Sequence, residues 1–189
     1  DWGAPEALDA EGIAGITRAF VRSAELALEA GFDFLEIHAA HGYLLHQFLS
    51  PVSNERSDGY GATPEGRSRL LVEVLRAVKA VWPADRPLFC RVPAHDGHPD
   101  GLSGDNILAI AGMLGELGVD MIDVAASNVS PDCRVVTAAD MQRVSTEIRE
   151  TLGIATTTAG GGDPDQANDL LDGGKLDLVA VGRPLLTNP

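Results

Sequence analysis

The sequence is poor in basic residues, in cysteine and in long apolar runs. Lysine and arginine number 14 against 28 acidic residues, so the formal net charge is −14 and the pI is about 4.5. A nucleic-acid backbone and an anionic membrane surface both require a basic protein face. The sequence therefore predicts that neither is a partner. No apolar run approaches the roughly 20 residues that a membrane-spanning helix needs.

Cysteine occurs at Cys90 and Cys133, and there is no CxxC pair. The spacing typical of an iron–sulfur cluster or a structural zinc is thus missing, and we expect no metal. Because no signal peptide is visible either, we expect a reduced, cytoplasmic setting. The sequence does not begin with Met and stops at Pro189, just after an apolar segment. We interpret both ends as cuts within a longer protein.

The remaining composition is that of a globular protein, with 44% hydrophobic residues in 189, and we expect a single domain over residues 1–189. Segments with helical spacing alternate with short apolar runs. The runs cover residues 32–39, 87–93, 119–125, 154–159 and 176–181. Continuous apolar runs are typical of parallel strands covered by helices. The alternation predicts an α/β fold with a parallel sheet.

Five such strands fit a complete doubly wound sheet or about five-eighths of a (β/α)8 TIM barrel, which usually takes roughly 250 residues. Two glycine-containing turns favour the barrel. Gly160-Gly161-Gly162 follows the fourth run, and Gly182-Arg183 follows the fifth. Barrels often hold phosphate in the loops after strands seven and eight. We therefore expect an incomplete barrel containing about strands four to eight, with three strands missing upstream and the last helix missing downstream.

The residues richest in chemistry follow the first run, where a barrel places its active site. His38 and His41 are three residues apart and can donate hydrogen bonds to one oxygen atom. Tyr43 adds a weak acid beside them. Such a set can polarise a carbonyl and deliver a proton to a neighbouring carbon.

Other interpretations of these residues stay open at this level. The two histidines could bind a metal in a barrel hydrolase or lyase, with a third ligand recruited from His46, Asp58 or His95. They could also be structural histidines in a non-catalytic barrel segment of a larger multidomain protein. Tyr43 could be a packed aromatic residue.

The segment from His38 to Gly61, HAAHGYLLHQFLSPVSNERSDGYG, resembles the hallmark of the Old Yellow Enzyme family, FMN-dependent barrel ene-reductases. The similarity continues through most of the chain. It includes RVPAHD from Arg91, GVDMIDVAAS from Gly118 and DLVAVGRPLLTNP from Asp177. The chain is most similar to the bacterial branch that carries a His/His pair.

The resemblance implies an NAD(P)H:flavin oxidoreductase that reduces activated alkenes, with FMN as cofactor and NADH or NADPH as reductant. His38 and His41 match the pair that binds the substrate's carbonyl oxygen, and Tyr43 matches the proton donor. Arg91 matches the arginine at the N1/O2 edge of the flavin; its alternative is an ion pair within the barrel. The residues that match the FMN phosphate loops are Gly160, Gly161, Gly162, Gly182 and Arg183.

The resemblance also implies a small-molecule substrate, and the full-length protein could form a homo-oligomer. One stretch departs from the family: Pro93-Ala94-His95-Asp96-Gly97 replaces a segment that often carries Ser-Ala and a tryptophan after the aspartate. In the family, the loops after the first three strands also grip the flavin. We therefore expect the 189-residue chain alone to bind FMN weakly or not at all.

Overall fold

The computed structural model describes residues 6–127, 129–159, 163–182 and 186–187. In this part of the chain, helices and strands alternate as the sequence predicts. The elements are α1 (Ala10–Glu29), β1 (Leu35–His38), α2 (Leu44–Leu49), α3 (Pro64–Lys79), β2 (Leu88–Pro93), α4 (Gly104–Glu116), β3 (Met121–Ala125), α5 (Ala138–Leu152), β4 (Ala155–Ala159), α6 (Pro164–Asp172) and β5 (Leu178–Ala180). None of the described helices is both long and apolar enough to cross a bilayer.

The five strands form one parallel sheet in the order β1-β2-β3-β4-β5. Each strand pairs with the next one along the chain, so the order never reverses. A doubly wound sheet requires such a reversal, at the point where its ligand binds. The sequential order is instead that of a barrel wall, and it excludes the doubly wound alternative.

Helix ends follow local sequence chemistry. The Thr63 side chain accepts the N–H of Gly66 at the start of α3, and Ser103 forms a capping box with Asn106 at the start of α4. Gly153 ends α5 in the left-handed region, with φ of 67°. Asp163 caps α6 by accepting the N–H of Asp165.

The two faces of the sheet differ because successive strand residues point to opposite sides. One face is fully covered by helices, and its central residues are at most 5% exposed: Ile37, Cys90, Val92, Ile122 and Val124. They join one apolar core with side chains of α3 and α4, including Leu71, Val74, Leu75, Ile107 and Leu114.

The other face mixes charged and apolar side chains and is partly open. Glu36 and Arg91 lie on it, together with Phe34, which is 53% exposed, and Leu178, which is 50% exposed. In a closed barrel this face is the interior. The carboxyl ends of all five strands meet at one edge of the sheet, so the loops after β1, β2 and β3 are neighbours there.

Candidate functional site

The site begins with an unusual turn directly after β1. His41 has φ of 59° and Gly42 has φ of 74°, so two successive residues adopt the left-handed conformation. For a residue with a side chain this costs about 1 kcal/mol, so other contacts must hold the turn. The N–H of Gly42 donates to Nδ1 of His46 at 2.9 Å, and Nε2 of Gln47 donates to the carbonyl of Gly42 at 2.7 Å.

This turn brings His38 and His41 side by side. Nε2 of His38 lies 3.1 Å from Nδ1 of His41, and the two ring centroids are 5.0 Å apart. An acceptor oxygen about 2.9 Å from each nitrogen would complete a triangle with them. The geometry therefore fits two donors on one oxygen, provided that the rings give up the hydrogen bond between them.

The surroundings of both imidazoles favour their neutral form. Burial lowers the pKa of His38, and the positive charges that His41, Arg91 and His46 can carry lower it further. Burial also lowers the pKa of His41, with Arg91 and His46 acting in the same direction. In the neutral form each ring carries one N–H, and the pair offers two donors to an incoming oxygen when the protons are on Nε2 of His38 and Nδ1 of His41.

Tyr43 completes the trio that the sequence predicts. Its ring centroid lies 5.4 Å from that of His38, at an interplanar angle of 65°, and the residue is 63% exposed. Its backbone occupies the N-cap position of α2, whose first turn follows the left-handed pair. The fold thus brings the histidines and the phenol together at the strand edge, with the phenol accessible from solvent.

Arg91 lies on the neighbouring strand, opposite His38 in the register, and Asp123 lies opposite Arg91 on the strand after that. Nε of Arg91 is 2.9 Å from Oδ2 of Asp123. The contact is an ion pair whose Nε–H is not directed as a hydrogen bond. Burial raises the pKa of Asp123, and Arg91 opposes that rise. The ion-pair alternative for Arg91 is therefore observed, and it leaves room for a second partner.

The same face carries a third ionisable group. Burial raises the pKa of Glu36, and the negative charge of Asp123 raises it further, while Arg91 opposes the rise. Glu36 and Asp123 thus compete for the single positive charge of Arg91. The contact that holds the guanidinium at the open face of the sheet is the ion pair with Asp123.

Three buried polar atoms at this edge have no hydrogen-bond partner among the described residues: Nδ1 of His38, Nε of Arg91 and Oδ1 of Asp123. They belong to adjacent strands at the same register level. Unpaired buried donors and acceptors are costly, so a polar, planar group at this position would stabilise them. The residues present therefore fit the flavin ring that the resemblance implies.

The predicted phosphate loops are only partly described. Gly182 follows β5 and is exposed at the strand edge. Gly160, Gly161, Gly162 and Arg183 lie outside the described residues.

A buried network that the sequence did not predict lies beneath the turn. His46 and Asp96 are both fully buried, and Nε2 of His46 lies 2.8 Å from Oδ1 of Asp96. Burial alone would raise the pKa of Asp96, but hydrogen bonds from His46, Ser50 and the N–H of Leu102 outweigh it and hold the pKa below its usual range. The available signal was a histidine inside the mostly apolar segment Leu44–Leu49.

Among the described residues there is no group of three or more His, Cys, Asp or Glu side chains that could hold a metal ion. Each residue suggested as a third ligand has another partner: Asp96 for His46, Arg56 for Asp58, and Asp140 for His95. These contacts count against the hydrolase or lyase alternative.

Comparisons with known proteins identify the family and the fold. The model of the NADH:flavin oxidoreductase / NADH oxidase family matches residues 3–189. The NADPH dehydrogenase of Geobacillus sp. (strain WCH70) is 45% identical over 174 residues, which cover 91% of this chain and 50% of the relative. The chain therefore spans about half the length of the curated relatives it matches.

Solved structures give the same result. Morphinone reductase superimposes with a TM-score of 0.80 at 28% identity, over 97% of this chain and 49% of that enzyme. Its complex with tetrahydroNAD superimposes with a TM-score of 0.78, also at 28% identity, over 96% and 48% of the two chains. The expected fold, an incomplete (β/α)8 barrel, is confirmed. Because the family model matches nearly the whole sequence, the chain belongs to the NADH:flavin oxidoreductase / NADH oxidase family, the Old Yellow Enzyme family of FMN-dependent oxidoreductases.

Proposed function

We propose that the protein containing this chain uses NADH or NADPH and bound FMN to reduce activated alkenes, in which a C=C bond is conjugated to a carbonyl or a similar electron-withdrawing group. Family membership supports the oxidoreductase class, the FMN and the nicotinamide reductant. The observation that carries the substrate class is the His38–His41 pair, whose facing nitrogens lie 3.1 Å apart beside Arg91.

The histidine pair acts on the substrate oxygen. FMN, when bound, supplies the hydride that adds to the β-carbon of the alkene. His38 and His41 donate hydrogen bonds to the carbonyl oxygen, where negative charge develops as the hydride arrives. Since burial lowers the pKa of both side chains, we assign them the role of oriented hydrogen-bond donors and assign the proton to Tyr43.

Tyr43 provides the proton. The reduced product contains one added hydride and one added proton, so a weak acid must stand near the α-carbon. The Tyr43 ring lies against His38 and is exposed toward the open edge, where a substrate held by the histidines would bind. A phenol keeps its proton at neutral pH and can transfer it to a developing carbanion.

Arg91 and the glycine loops are proposed to hold the cofactor. The guanidinium of Arg91, steadied by Asp123, would stabilise negative charge at the N1/O2 edge of the flavin. The phosphate would bind to backbone N–H groups of Gly160, Gly161, Gly162 and Gly182 and to the side chain of Arg183.

The experiment uses the full-length protein that contains this chain. Purified protein should show the visible absorbance of a flavin, lose it anaerobically with NADPH or NADH, and regain it with cyclohexenone. Tyr43→Phe should slow the cyclohexenone step by about 10²–10⁴-fold, the usual contribution of a positioned acid, and leave reduction by the nicotinamide intact. The matched control is Tyr60→Phe, whose hydroxyl donates to Glu73.

Three outcomes would contradict the proposal: no flavin absorbance, no bleaching by either nicotinamide, or no recovery with cyclohexenone. The first of these would favour a non-catalytic barrel segment.

We further propose that residues 1–189 are a single-domain portion of the barrel, that the substrate is a small molecule, that the full-length protein acts in the cytoplasm, and that it could assemble as a homo-oligomer.

A further inference from the structure

We propose that His46 and Asp96 are positioning residues that fix the left-handed His41–Gly42 turn and so aim His41 and Tyr43 at the substrate. That the turn directs these side chains at a substrate rests on the proposed function. That His46 and Asp96 fix the backbone of the turn does not depend on it. Neither His46 nor Asp96 faces the open edge, since both side chains are fully buried.

The hydrogen bonds of His46 determine its tautomer. The N–H of Gly42 donates to Nδ1 at 2.9 Å, so Nδ1 carries no proton. The ring proton is therefore on Nε2, which lies 2.8 Å from Oδ1 of Asp96. The ring is thus held at both nitrogens, and its acceptor nitrogen is directed at the backbone of the turn.

Asp96 makes this orientation rigid. Its carboxylate also accepts the hydroxyl of Ser50 at 2.6 Å, the N–H of Leu102 at 2.8 Å and the hydroxyl of Ser127 at 3.3 Å. An ionised carboxylate has about four acceptor positions, so the four donors saturate it. These donors come from segments that follow β1, β2 and β3. Asp96 therefore ties three adjacent strand ends together directly beneath the turn.

The turn needs such an anchor. His41 has φ of 59°, a conformation that residues with a side chain rarely adopt. The bond from Gly42 to His46 is the contact that joins the turn to the saturated carboxylate. Without it, His41 can relax toward ordinary backbone angles and move its ring away from His38. Tyr43, the next residue after Gly42, would shift with it.

The test compares two changes at His46 in the full-length, FMN-loaded protein. His46→Leu removes both hydrogen bonds with a side chain of similar size. His46→Gln can accept from Gly42 and donate to Asp96, so it should rescue the turn. The control is His98→Gln, because His98 accepts a hydrogen bond within its own turn, from the N–H of Asp100. If His46→Leu does not fold, Asp96→Asn replaces it, because it keeps the shape of the carboxylate and removes its charge.

Two measurements are made on each variant. The first is the Kd for para-nitrophenolate, an oxyanion that the histidine pair should bind, followed by its absorbance. The second is hydrogen exchange at the Gly42 amide, followed by NMR. In His46→Leu, losing the hydrogen bond from the Gly42 N–H should weaken probe binding and speed exchange at that amide by about tenfold each. His46→Gln should recover most of both effects, and His98→Gln should change neither.

Unchanged probe binding and exchange in a folded His46→Leu or Asp96→Asn protein would overturn the inference. The inference would also be overturned if His46→Gln weakened probe binding and sped Gly42 exchange as much as His46→Leu does, since equal effects would indicate general destabilisation. Failure of the proposed function looks different: the unmodified protein would bind neither flavin nor probe. Gly42 exchange needs neither ligand, so it still decides whether His46 fixes the turn.

Discussion

Replacing His41 separates its role as a hydrogen-bond donor from its role in the backbone turn. The residue sits at φ of 59° and its Nδ1 lies 3.1 Å from Nε2 of His38. His41→Leu removes the donor and keeps a side chain of comparable bulk. His41→Asn keeps a polar N–H donor, and asparagine tolerates the left-handed region better than most residues.

The expected magnitudes follow from that geometry. Removing one donor that stabilises a developing oxyanion costs about 10²–10³ in rate, or roughly 3–4 kcal/mol of transition-state stabilisation. Histidine and leucine both carry a Cβ, so both bear the left-handed cost of about 1 kcal/mol. We therefore expect the free energy of unfolding to change by less than about 1 kcal/mol in His41→Leu, while the rate falls steeply. His41→Asn should stay within about tenfold of the unmodified rate.

The assay is anaerobic stopped-flow on the full-length protein, reduced beforehand with NADPH and mixed with cyclohexenone. Reduction by NADPH is measured separately, and the melting temperature Tm checks the fold. The reasoning is refuted if His41→Leu, with an unchanged Tm, reacts with cyclohexenone as fast as the unmodified protein.

Three further predictions concern stability and cofactor binding. Leu75→Ala should lower the free energy of unfolding by about 2–5 kcal/mol because Leu75 is fully buried in the core. The control Leu171→Ala, at a residue that is 38% exposed, should lower it much less. Equal losses of unfolding free energy in denaturant titrations would contradict this prediction. The pKa of Asp96 is lowered in the folded state, so the stability that its carboxylate contributes is present above the unfolded pKa of about 3.9 and is lost as the pH falls toward the folded pKa. Asp96→Asn should therefore flatten the acid side of a plot of unfolding free energy against pH. An unchanged slope would contradict this prediction. Titration of FMN into the isolated 189-residue chain should show weak or no binding, because the loops after the first three barrel strands are expected to contribute contacts; a yellow, stable monomer with tightly bound FMN would be contrary evidence.

Helices and strands could be predicted from the sequence because their signals are local. Thr63-Pro64 and Ser103 start helices through their own side chains and fixed φ, and Gly153 ends one through its freedom to adopt positive φ. The short helix α2 was not predicted. It follows the left-handed pair His41–Gly42, which is bonded to His46, and the other ring nitrogen of His46 contacts Asp96, 50 residues away.

The candidate site was predictable only where its residues share one segment. His38, His41 and Tyr43 lie within six residues of each other, so the turn after β1 is enough to group them. The ion pair of Arg91 with Asp123 depends on the register between two strands. The bond between His46 and Asp96 joins positions 50 residues apart. Packing of the strand ends creates both contacts, so the sequence around each residue does not identify its partner.

A crystal structure of the full-length, FMN-loaded protein with a bound para-substituted phenolate tests the central claim most directly. The account predicts the phenolate oxygen at about 3 Å from ring nitrogens of both His38 and His41, with the Arg91 guanidinium against the N1/O2 edge of the flavin. A flavin bound at the opposite ends of the strands, or a phenolate that contacts neither histidine, would contradict it.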